Sequence, residues 1–127
     1  MNPLEVLRRI AEVEFSAIVT QTDLLGAKAR ILLADGSYVD VWASRKLPGR
    51  FGMHWERKHL DGCIYRYDNF PDTDWAAVST YPFHFHDGAQ HNVIAAPFTL
   101  TLEQGFRDFM TFVQKAIARA ETSMRDA

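Results

Sequence analysis

The chain has one cysteine, Cys63, so no intramolecular disulfide can form and nothing in it calls for an oxidising compartment. It has no run of about 18 apolar residues, the length a spanning helix needs. Residues 1–17 carry Glu5, Arg8, Arg9, Glu12 and Glu14, which breaks up the apolar core that a signal peptide requires. A glycine-rich phosphate loop, a Gly-x-Ser-x-Gly elbow and a Cys-x-x-Cys pair are all missing. Internal repeats and low-complexity tracts are missing too. A cytoplasmic protein without a membrane partner is the expectation.

What is present is ordinary globular composition: 127 residues, 47% hydrophobic and 24% charged, enough for one core and short for two. A single domain over 1–127 follows. The net charge of −2 hides an uneven distribution. Between positions 45 and 66, Arg45, Lys46, Arg50, Arg57, Lys58 and Arg66 outnumber Glu56 and Asp61, and the flanking segments are acidic. Such a stripe suits phosphate contacts as well as it suits a solvated strand face.

Asn2-Pro3 with Glu5 has the form of a helix start, and Leu4, Leu7, Ile10 and Ala11 share one face, predicting a short helix to about Ala11. Branched and apolar residues from Phe15 to Thr22 predict a strand. Lys28–Leu33 and Ser37–Ala43 flank Asp35-Gly36, a hairpin turn, and Arg50–Lys58 and Cys63–Asp68 repeat the pattern around Asp61-Gly62. Asn69–Ser79 reads as a loop pinned by Trp75, and Tyr81–His86 as an extended segment closed by Asp87-Gly88. Thr101 with Gln104 predicts a capped long helix whose stripe of Leu102, Phe106, Phe109, Val113, Ala116 and Ala120 faces the core. The fold class is α+β: an antiparallel sheet of four to six strands with a short N-terminal and a long C-terminal helix.

Alternation along an extended segment puts His84 and His86 on one face, with Phe83 and Phe85 opposite. Two imidazoles side by side are a candidate acid–base pair. By the same period Arg66 and Asp68 share a face, and Tyr65 and Tyr67 the other. Arg66, steadied by Asp68, suits a phosphodiester; a plain cross-strand ion pair above core tyrosines is the competing reading. His84, His86 and His91 also leave a His-ligated metal open, with Asp87 the only close carboxylate. His54 and His59 read as surface residues, and Cys63 as a structural thiol.

The blocks Tyr65-Arg66-Tyr67-Asp68-Asn69-Phe70-Pro71 and Thr80-Tyr81-Pro82-Phe83-His84-Phe85-His86, after Asp35-Gly36-Ser37-Tyr38 and before the helix from Thr101, resemble the TumE-like toxins of bacterial toxin–antitoxin systems. The resemblance covers about residues 28–120. The chain departs from the family at Phe83, where a histidine is common, and at Asp72-Thr73-Asp74. The resemblance implies a growth-inhibiting, RNA-cleaving toxin neutralised by a cognate antitoxin protein. In that reading His84 and His86 are the acid–base pair and Arg66 the phosphate clamp. Tyr65 or Tyr67 stacks on a base, and Asp68, Arg57 and Lys58 help to place the RNA. No metal ligand is assigned and no cofactor is expected; a homodimer is compatible with the sequence. A non-catalytic, partner-binding module using the sheet and the Asn69–Ser79 loop is the alternative, beside the metal protein.

Overall fold

The computed structural model describes residues 2–126, without the side chains of 125 and 126. Its first helix, α1 (Pro3–Glu14), starts where Asn2 Oδ1 accepts the amide of Leu4 at 2.9 Å and Pro3 occupies the first turn. It runs one turn beyond Ala11 and is closed by the buried Phe15, expected in a strand. The strand itself, β1 (Val19–Leu25), begins later.

Next come β2 (Lys28–Leu33), β3 (Tyr38–Ala43), β4 (Phe51–Arg57), the single turn α2 (Lys58–Asp61), β5 (Cys63–Asp68), β6 (His84–Gly88) and β7 (Val93–Ala95). The seven strands form one sheet in sequence order, each pairing antiparallel with the next. That is one strand more than the upper expectation. The added member is β7: Asp87-Gly88 is still strand, and the chain reverses over 89–92, where Asn92 Nδ2 donates to the carbonyl of Asp87. Three residues show too little alternation to announce a strand. Asp35-Gly36 turns where the sequence puts it, with Gly36 at φ +90°, whereas the second connection is not a tight turn: α2 fills it, and Gly62 at φ +78° is that helix's left-handed C-cap.

The last helix, α3 (Leu102–Asp126), and α1 lie on one face of the sheet. Phe106, Phe109, Met110 and Val113 of α3 and Leu7 and Ala11 of α1 are buried against Ile31, Val39, Val41, Met53, Trp55, Tyr67 and Phe85. Gln104 does not close a capping box: its amide donates to Asp108 Oδ1, whose other oxygen takes both the amide and hydroxyl of Thr99. No described helix is long and apolar enough to cross a membrane.

Candidate functional site

The face of the sheet turned away from the helices carries a polar row. Register sets Arg30 opposite Asp40, Asp40 opposite His54, His54 opposite Arg66, and Arg66 opposite His86. One pleat along, Gly52, Asp68 and His84 form the adjacent row. Period-2 geometry therefore brings four chemically active side chains, two from β5 and two from β6, onto one patch.

Asp68, only 2% exposed, is the hub. Its Oδ2 accepts from Arg66 Nε at 2.8 Å, its Oδ1 accepts from the amide of Phe70 at 2.9 Å, and His84 Nε2 stands 3.4 Å from Oδ1. The next residue, Asn69, faces the other way. Its side chain accepts from the amide of Phe51 and donates to the carbonyl of Gly49, tying the start of the loop to β4. Asp72 then caps a 3₁₀ turn, Thr73–Trp75, which brings the Trp75 ring to 5.7 Å from that of His86 and 6.4 Å from that of His84. Loop and sheet enclose a cleft of about 160 Å³ lined by Arg66, Asp68, Phe70, Trp75 and the two histidines.

Both imidazoles are oriented by the backbone. His84 Nδ1 lies 2.9 Å from the carbonyl of Pro82, and His86 Nδ1 lies 2.9 Å from that of Gln90. A carbonyl only accepts, so each Nδ1 carries a proton, and in the neutral form of either ring the lone pair is at Nε2. The rings stand edge to face, 5.1 Å apart. Burial pushes the pKa of His86 below the usual value, with His84 and Arg66 acting in the same direction, and outweighs the Gln90 carbonyl and Asp68. The Arg66 side chain is 40% exposed and donates to Asp68 through Nε.

Other residues proposed for the site lie elsewhere. Tyr65 and Tyr67 are on the helix-covered face, because alternation from Arg66 and Asp68 turns them under α3. Tyr65 stacks on Trp55; Tyr67 is fully buried and donates its hydroxyl proton to the carbonyl of Thr99. Neither offers a ring to a base beside Arg66. Arg57 is buried at the far end of the hairpin, where it bridges Asp35 and Asp61 and lies over Trp55. Lys58 starts α2 at that same end. The cationic segment is thus split: Arg66 lines the cleft, and the Arg50 guanidinium lies 5.6 Å from the ring of Phe70 on its wall. His91 is exposed in the 89–92 turn, and the carboxylate beside the histidines is Asp68, not Asp87. His54 is half-buried beside Glu56, and Cys63 is partly exposed.

Sequence reasoning passed over Phe70, the Pro82 and Gln90 carbonyls, and the contact between Asp68 and His84. Only the adjacency of Asp68 to Asn69-Phe70-Pro71 hinted at a carboxylate turned back onto its own loop. The family model described as Toxin TumE matches residues 4–117, from α1 well into α3 and including every element of the cleft. No curated protein and no solved structure matches. By this match the chain belongs to the Toxin TumE family.

Proposed function

We propose that the toxin acts as an endoribonuclease that cleaves RNA at the Arg66–His84–His86 cleft without a metal, and that an antitoxin protein holds it in check. The observation that carries this reading is the pair of imidazoles whose Nδ1 protons are taken by backbone carbonyls, so that two Nε2 atoms face one cleft beside the Arg66 guanidinium. RNA transesterification needs those groups. A base takes the proton of the 2′-hydroxyl as the 2′-oxygen bonds to phosphorus; an acid protonates the 5′-oxygen as the P–O5′ bond breaks. The guanidinium of Arg66 stabilises the charge that grows on the phosphoryl oxygens. His86, held neutral by burial, suits the base. His84 faces the Asp68 carboxylate, which pairs with the ring when it carries the proton of an acid.

Induced expression in bacteria is expected to arrest growth and degrade cellular RNA, and purified protein to cut RNA in the presence of a chelator. His86→Gln should lower cleavage by about 10²–10⁴-fold, the contribution of one positioned acid or base. A native chain that is harmless and leaves RNA intact, or a His86→Gln chain as active as the native one, would overturn the reading.

A further inference from the structure

We propose that Asp68, His84 and His86 form a binding site for one divalent transition-metal ion of the zinc class, with Asp68 Oδ1 and the two Nε2 atoms as ligands. All three residues are at least nine-tenths buried, and their donor atoms lie within 4.8 Å of one another. Ligands held at about 2.0–2.2 Å from a tetrahedral ion stand about 3.3–3.6 Å apart. The 3.4 Å between His84 Nε2 and Asp68 Oδ1 already meets that spacing. His86 has to close in from within 4.8 Å as the ion binds.

The support around the ligands is that of a metal site. A metal-binding imidazole ordinarily donates its other N–H to a carbonyl or carboxylate, which sets the tautomer and aims the lone pair. Both rings do so here, through Pro82 and Gln90. Asp68 is itself held, with Arg66 on one oxygen and the Phe70 amide on the other; an oxygen that accepts one N–H keeps a second lone pair. Two nitrogens and one carboxylate oxygen favour zinc, cobalt or nickel over magnesium and calcium, which take oxygen ligands. The cleft leaves the remaining coordination position open to water or a phosphate oxygen, and Asp72 on its wall adds a second negative charge.

The ion would take up the Nε2 lone pairs that acid–base chemistry needs, so zinc occupancy and metal-free cleavage exclude each other. To that extent the inference touches the ribonuclease reading, but the binding itself does not depend on it. Untagged protein titrated with zinc in a calorimeter should bind one ion per chain and gain thermal stability, and cobalt in its place should give visible d–d absorption. His86→Gln and Asp68→Asn should each weaken zinc binding by more than about tenfold, since even an outer partner of a ligand costs that much. His91→Ala should change nothing. Absence of stoichiometric uptake by the native chain, or equal uptake by native and His86→Gln protein, refutes the site. These measurements contain no RNA. Zinc uptake by a chain that never cleaves RNA sinks the ribonuclease reading alone, and cleavage by a chain that takes up no zinc sinks the metal site alone.

Discussion

A glycine holds the second polar row together. Gly52 is the cross-strand partner of Trp42 on one side and of Asp68 on the other, and a Cβ built on it would lie 2.5 Å from the Trp42 indole. The ring fills the space that a side chain would need. Gly52→Ala should therefore lower stability by about 1–3 kcal/mol through overpacking. Urea unfolding is the check: the midpoint falls for Gly52→Ala in the native background and falls less when Trp42 is replaced by Leu, whereas equal shifts in both backgrounds would contradict the indole as the cause. At the same scale, one carboxylate serves several masters. Asp68 positions Arg66, receives the loop amide of Phe70 and faces His84, so a change at that residue is felt in both strands and the loop.

Between elements, the close approach is made by α3. Gly105 sits where the helix crosses the 99–101 segment, and a Cβ there would meet the Thr99 carbonyl oxygen at 2.6 Å and the Tyr67 ring at 3.3 Å. That same carbonyl accepts the Tyr67 hydroxyl at 2.9 Å, joining the segment to β5. In an isolated helix alanine is better than glycine by about 1 kcal/mol. Here the obstacle is backbone and cannot swing aside, so Gly105→Ala is expected to destabilise the protein by about 1–3 kcal/mol while raising the helicity of the corresponding free peptide. Thermal unfolding of the variant and circular dichroism of the peptide test the two halves; a variant more stable than the native chain would show that α3 is not seated as described.

For the molecule as a whole, the charge pattern predicts how stability follows pH. Burial raises the carboxyl pKa of Asp35, Asp40 and Asp61, but hydrogen bonds outweigh it. Ser37 and Arg57 hold Asp35 below its usual value; Arg30 and Lys28 hold Asp40, and Arg57 and the Cys63 amide hold Asp61. A carboxylate whose folded pKa is depressed contributes stability above the unfolded pKa of about 4 and loses it as pH falls through the folded pKa. His54 and His86 add an earlier step. Burial depresses both pKa values, that of His54 despite the hydrogen bond to Glu56, so the unfolded chain takes up protons first as pH falls below about 6.5. The urea midpoint should sag between about pH 7 and 5, then drop more steeply below about pH 4. His54→Gln should reduce the upper step, the remainder of which belongs to His86, and leave the lower one; a midpoint that rises on acidification would contradict these assignments.

Much of this was legible in the sequence because it depends on local periodicity. The Asp35-Gly36 turn follows from turn chemistry, and the apolar faces of both helices and the pairing of Arg66 with Asp68 and of His84 with His86 on shared faces follow from periods of 3.6 and 2. Alternation says which residues share a face but not which face the helices cover. That choice was made by α3, whose Phe106, Phe109 and Val113 pack over Tyr67 and Phe85 and so leave the histidines on the opposite side. Nor does alternation set register. Asp68 meets His84 and Arg66 meets His86 because the 69–83 connection, held by Asn69 and capped at Asp72, returns β6 at that offset and no other. The sequence by itself determined the elements and the company each side chain keeps on its own strand. The tertiary structure decided which strand lies beside which, at what register and under which cover, since those depend on contacts between residues far apart in the chain.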